Sequence, residues 1–211
     1  MKKLFLVLLV LVVVGGTAFS FDAKSFPAPI KKGSFLISPT FGIGTYYYSG
    51  ATLAFIGVFD FALPINFGLT LGGEVGFAMT TYSDWDYGYD YRPFAIPILF
   101  RAFWHPNFEV KGLDPYVGMK MGLAIGIIGG DKDYKVGGYG YEYKGRSGFA
   151  MGLNVGCRYF FSNAIGVFGE LGYDQYWVGV KETSTGPGWK QEWKYYWPMR
   201  TFFRTGITFN I

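Results

Sequence analysis

Histidine and cysteine are almost absent from this chain, which carries one of each, His105 and Cys157, in 211 residues. A single cysteine excludes an internal disulfide, and the pair offers no zinc-ligand spacing. Charge is also sparse. Asp, Glu, Lys and Arg make up 16% of the residues, below the roughly 25% of a typical soluble domain. The net charge is +4, and Lys2 and Lys3 supply part of it from a segment expected to be removed. The remainder, about +2, is too small to imply nucleic acid or an acidic partner. Beyond the N-terminus no apolar run approaches the roughly 20 residues of a spanning helix. If the rest of the chain sits in a membrane, it does so as strands.

What is abundant points the same way. Half the residues are apolar, 21% are aromatic, and glycine is the commonest residue at 32. Glycine and aromatics are poor helix formers, and aromatics favour strands. The N-terminus, MKKLFLVLLVLVVVGGTAFS, has a basic start, an apolar core from Leu4 to Val14 and small residues at Ala18 and Ser20. It has the form of a secretory signal peptide cleaved before Phe21. Residues 1–20 are therefore expected to be a signal, 21–32 a proline-containing leader, and 33–211 one domain.

From residue 33 onward eight segments alternate with period two. The third, about 65–79, sets Ile65, Phe67, Leu69, Leu71, Val75, Phe77 and Met79 against Asn66, Thr70 and Glu74. The fifth, about 115–128, sets Val117, Met119, Met121, Leu123, Ile125 and Ile127 against Lys120. The others lie near 34–47, 51–63, 93–104, 146–161, 164–179 and in the closing stretch FFRTGITFNI, residues 202–211. One alternating decamer means little. Eight, each about long enough for the 9–11 residues of a tilted membrane strand, predict an all-β, eight-stranded antiparallel up-and-down transmembrane barrel.

The connections sort into two kinds. Those near Pro64–Ile65 and Ser162–Asn163 are tight, whereas 80–92, 129–145 and 180–197 are long. Short turns at one end and long loops at the other are the build of an outer-membrane barrel. The gap after the first strand is short for an outer loop, and the turn 105–114 is long for an inner one. Most Tyr and Trp residues fall toward the long-loop end, where amphipathic rings favour a membrane–water interface.

The charges decide which face looks at lipid. Asp60, Glu74, Arg101, Lys120, Arg158, Glu170, Asp174 and Arg204 all fall on the parity opposite the apolar row of their own strands. Facing lipid, each midplane Arg or Lys would cost about 2–4 kcal/mol. Facing the lumen, the four acids and four bases can pair, with Glu170 expected near both Arg158 and Arg204. A soluble, lipocalin-like barrel would need about forty large side chains inside, more than an eight-stranded interior holds. The glycines of the polar rows suit a narrow, crowded inside.

In its signal segment, eight amphipathic strands, aromatic outer loops and chain-ending strand, the sequence resembles the small outer-membrane β-barrel proteins of the OmpX, OmpW and OmpA-barrel types. The resemblance covers about 33–211 and is one of pattern. It implies outer-membrane lipid as the surroundings and insertion by the barrel assembly machinery, which in the family reads an aromatic-ended last strand. Here the last residue is Ile211, with Phe209 two earlier.

Little chemistry is encoded beyond this. Barrel enzymes of this kind need a histidine near the outer rim, and His105 sits beside Pro106 in an inner turn, where it reads as a turn or interface residue. Cys157 lies in an apolar row and reads as lipid-facing. DWDYGYD, with Asp84, Asp86 and Asp90, lacks the spacing and terminal Glu of a calcium loop. The glycines of GGYGYEYKG and STGPG read as loop punctuation. No cofactor is expected. The expected function is that of a non-enzymatic outer-membrane barrel with a plugged lumen and surface ligands met through 80–92, 129–145 and 180–197. The alternative is a narrow channel or binding barrel for small hydrophobic or polar solutes.

Overall fold

A computed structural model describes residues 30–46, 50–65, 67–80, 91–106, 110–130, 133–136 and 138–211. The signal segment and DWDYGYD lie outside them. Ten strands follow in order: β1 Phe35–Tyr46, β2 Gly50–Ala62, β3 Leu69–Thr80, β4 Tyr91–Trp104, β5 Leu113–Gly130, β6 Asp133–Val136, β7 Tyr139–Arg146, β8 Gly148–Phe160, β9 Ile165–Gly186 and β10 Trp189–Asn210. Eight of them close a barrel in the order β10-β1-β2-β3-β4-β5-β8-β9, with β9 returning to β10. Each of these neighbouring pairs is antiparallel. The seam is tied at its end by reciprocal backbone bonds between Phe35 and Ile211, of 3.0 and 2.9 Å.

The alternation translates directly into two surfaces. Phe55, Leu123, Leu153 and Leu171 on the outer row are 55–61% exposed. Ala54, Ile56, Val58, Ala78, Ala95, Leu99, Ala124 and Ala150 on the inner row are at most 3% exposed. Exposed Phe, Ile, Leu, Val or Met side chains recur on the outer row of every barrel strand. Soluble monomers rarely expose contiguous apolar patches larger than a few hundred Å². This wall is that of a membrane barrel.

Three expectations about segments are corrected. The third strand starts at Leu69 rather than near residue 65: β2 ends at Ala62, and Gly68, just before β3, adopts φ +59°. The stretch 129–145 is largely a hairpin, β6–β7, whose β7 pairs with β9. The stretch 180–197 is the continuation of β9 and β10, which run on as a ladder to Gly186↔Trp189. Beyond the barrel proper, β6, β7, β9 and β10 therefore form a four-stranded sheet.

Two bulges shape this wall. Thr201 lies opposite Asp174 but Phe203 opposite Leu171, so β9 has one residue more than β10 there, whereas against β1, where Gly44 faces Thr201 and Ile43 faces Phe203, the extra residue is on β10. Phe202 and Phe203 both point outward, 39% and 38% exposed, and the inward parity of β10 changes from Met199 and Thr201 above to Arg204 and Thr208 below. Likewise Ala150 faces Tyr176 while Arg146 faces Gly179. Four steps on β7–β8 match three on β9, with Ser147 at the break. A bulge of this kind reverses the face on which every later side chain falls.

Candidate functional site

All eight charges placed in the lumen by parity point into it, each at most 2% exposed. The inward glycines of neighbouring strands make room for them. A Cβ on Gly152 would lie 2.1 Å from Asp174 Oδ1 and 2.8 Å from Lys120 Cε, and one on Gly72 would lie 2.6 Å from Asp60 Oδ1.

The charges form a web centred on Glu74 and Glu170. Arg204 donates from Nε to Glu170 Oε1 at 3.0 Å and from Nη1 to Glu74 Oε2 at 3.0 Å, and its Nη2 also bonds Glu170. Arg101 reaches Glu74 at 3.1 Å, contacts Asp60 at 2.8 Å and lies 3.7 Å from Glu170. Lys120 Nζ lies 2.7 Å from Asp174, 3.4 Å from Glu74 and 3.5 Å from Glu170. Thr201 Oγ1 donates to Asp174 at 2.9 Å, and Tyr116 donates to Glu170 at 3.3 Å. Deep burial of charge is tolerable only with such multiple partners.

The expected pairing of Glu170 with Arg204 is present, but Arg158 does not join Glu170. Arg158 donates to Asp60 at 2.8 Å and to Asp114 at 3.1 Å. The side chain extends toward the short-turn end, over the Tyr116 ring at 4.4 Å, rather than along the ladder to its strand neighbour. Asp114 joins the lumen although 105–114 reads as a turn in the sequence. The even inward parity of β5, which carries Tyr116 and Lys120, extends back to it. The balance is thus five carboxylates against four Arg and Lys cations, with the histidine beside them, instead of four against four.

His105 is a second correction. It follows β4, but the odd inward parity of that strand, through Arg101 and Phe103, carries its ring into the lumen, where it is fully buried. Its Nδ1 lies 2.7 Å from Asp114 Oδ1 and its Nε2 lies 2.9 Å from Thr70 Oγ1. A hydroxyl, an imidazole and a carboxylate in series have the connectivity of a nucleophile, base and orienting acid. Thr70, His105 and Asp114 are each 0% exposed, however, so the hydroxyl has no opening to solvent. The series joins β3, β4 and the start of β5 across the lumen end.

Above the charges, toward the long-hairpin end, the lumen turns apolar. Ala54, Ala78, Ala95, Ala124 and Ala150 line it, and the larger Ile56, Val58, Leu99, Tyr176, Val178 and Met199 pack in the same cluster. Cys157 lies in the outward row, half-buried. No group of three or more His, Cys, Asp or Glu with metal-binding geometry occurs among the described residues.

No protein-family profile matches the chain, and no curated protein matches it. Solved structures do. A major outer membrane protein from Thermus thermophilus aligns over 85% of this chain and 99% of its own, at 17% identity and a TM-score of 0.51. The outer membrane protein AlkL, solved by solid-state NMR in lipid bilayers, aligns over 89% and 96% at 14% identity and a TM-score of 0.46. The fold shared with the first of these is an outer-membrane β-barrel.

Proposed function

We propose that this chain is an integral outer-membrane barrel of a diderm bacterium, non-enzymatic, whose lumen is closed by its own ion pairs and whose contacts with the outside run through the extramembrane sheet. Residues 1–20 act as a signal removed on export, and the barrel assembly machinery inserts the remainder. The observation that carries the closed lumen is the burial of every inward charge, each tied to partners on other walls of the barrel. Eight strands leave an interior about wide enough for side chains alone. The apolar outer wall and the barrel fold support the outer-membrane setting. A shallow groove of about 570 Å³ on the extramembrane sheet, lined by Lys135, Tyr141, Glu142, Thr183, Thr185 and Lys190, supports a surface role.

The apolar upper lumen favours a second reading, a binding barrel or narrow channel for small hydrophobic solutes. Conductance of the refolded protein in planar bilayers separates the two. The closed barrel gives a flat baseline, and stable unitary openings would overturn it. Heat-modifiable gel migration tests the barrel itself: boiled and unboiled samples running alike after refolding would overturn the membrane reading.

A further inference from the structure

The extramembrane sheet has two unlike faces. Cross-strand partners share a face, so the ladders sort its residues into rows. On the face that continues the lipid-exposed side of β9, Arg146, Gly179 and Tyr196 form the first row above Trp177. Lys144, Lys181 and Lys194 form the next, and Glu142, Thr183 and Glu192 the third. The opposite face, continuous with the lumen, carries Tyr141, Tyr143, Val180 and Trp193. The bulges at Ser147 and Phe202 bring the cationic rows together, because without them the β7 and β10 members would fall on the other side.

Three lysines directly opposite one another on adjacent strands repel, since like charges at such positions destabilise a sheet. The third row offsets part of this. Lys144 hydrogen-bonds Glu142, holding its carboxyl below the usual range, and Lys181 does the same for Glu192. Lys194 has no ion-pair partner among the described residues. Arg146 lies along its own row, its guanidinium 4.8 Å over the Tyr196 ring and 2.9 Å from the Tyr196 hydroxyl. With a rise of about 3.3 Å per residue and strands tilted by about 40°, the Arg146 row stands roughly 5 Å and the lysine row roughly 10 Å above Trp177. Phe149 stacks on Trp177 at 5.8 Å between centroids, and on the membrane-barrel reading this outward pair sits in the aromatic girdle at the edge of the hydrocarbon. The headgroup layer begins there.

We propose that this face, through Lys144, Lys181, Lys194 and Arg146, binds the phosphate groups of anionic lipids in the leaflet around the long-hairpin end of the barrel. The occupant is a lipid because the face is continuous with the lipid-facing wall and stands at headgroup height. It is anionic because the two rows nearest the membrane carry four cations and no carboxylate. The flexible lysine stems can reach down to phosphates below their own row. Each lysine near a membrane surface contributes about 1 kcal/mol toward anionic lipid, roughly a fivefold change in affinity.

This proposal rests on the membrane-barrel reading. The full chain is refolded in mixed micelles of phosphatidylcholine and phosphatidylglycerol, and retained lipids are counted by native mass spectrometry. Wild type is expected to retain phosphatidylglycerol over phosphatidylcholine. Each of K144Q, K181Q and K194Q should weaken that preference about fivefold, and the triple variant should abolish it, with heat-modifiable migration unchanged. The pair K135Q and K190Q, farther from the membrane on the same sheet, should leave it intact. Equal retention of the two lipids by folded wild type, an unaltered preference in the triple variant, or an equal loss in K135Q/K190Q would each overturn the proposal. Failure of wild type to show heat-modifiable migration would instead overturn the barrel reading on which it rests.

Discussion

Arg158 on β8 reaches across the lumen to Asp60 on β2, Nη2 to Oδ2 at 2.8 Å, between strands that stand four places apart in a ring of eight. The pair therefore ties opposite walls of the barrel. It should couple more strongly than the shorter-range pair suggested by strand adjacency. A double-mutant cycle on Asp60 and Arg158, read from urea unfolding in bilayers, should give an interaction energy toward the upper part of the usual range of about 0.5–3 kcal/mol. The same cycle on Arg158 and Glu170 should give close to zero.

Glu170 is surrounded by Arg204, Lys120, Arg101 and Tyr116. Glu170→Ala leaves buried cations short of a counter-charge and should cost about 3–5 kcal/mol. Reversible unfolding of the refolded variant measures it. A change near zero would mean that water or Glu74 and Asp174 take over the guanidinium of Arg204.

His105→Ala removes the link between Thr70 and Asp114. The loss should be about 1–3 kcal/mol, the cost of leaving buried polar groups unsatisfied. Asp114 keeps its bond to Arg158, so the barrel should still form. Because the series is sealed from solvent, an active-site acylating probe should label wild type at Thr70 no more than it labels Thr70→Val.

Gly118 is a point of close strand approach beside the lumen aromatics. A Cβ there would sit 2.2 Å from the Ala102 carbonyl oxygen and 2.6 Å from Phe103 Cγ. Backbone cannot step aside as a side-chain tip can. Gly118→Ala should therefore destabilise by at least the roughly 1–3 kcal/mol typical of overpacking, visible as a lower refolding yield on a heat-modifiability gel. Gly138, whose added Cβ would meet nothing within 4 Å, has φ +85°; Ala there should cost only the strain of that conformation, about 1 kcal/mol.

Deleting Ser147 should restore unbroken pairing parity between β8 and β7 and turn Lys144 and Arg146 toward the lumen side. Desolvating those cations is unfavourable, so the hairpin should detach from β9 while the barrel below it persists. Limited trypsin digestion reads this out: cleavage near Lys135 and Lys144 should accelerate in the deletion variant, with the heat-modifiable core unchanged. Equal digestion rates would refute the bulge as the cause of the orientation.

The eight strands of the barrel ring, the outward apolar wall and the inward position of Asp60, Glu74, Arg101, Lys120, Arg158, Glu170, Asp174 and Arg204 were all determined by the sequence alone. The reason is local: successive side chains on a strand point to opposite faces, and lipid admits no charge that can turn inward instead. The same parity, extended a few residues, also places His105 and Asp114 inside; the turn-like composition of 105–114 hides them. Tertiary structure alone decided the rest. Which cation meets which acid depends on closure and stagger of the ring, so Arg158 found Asp60 across the lumen rather than Glu170 beside it. Single-residue bulges at Ser147 and Phe202 reversed the faces of β7 and upper β10, because an inserted residue resets the two-residue period for everything beyond it. The row Lys144, Lys181 and Lys194 exists only through that reset.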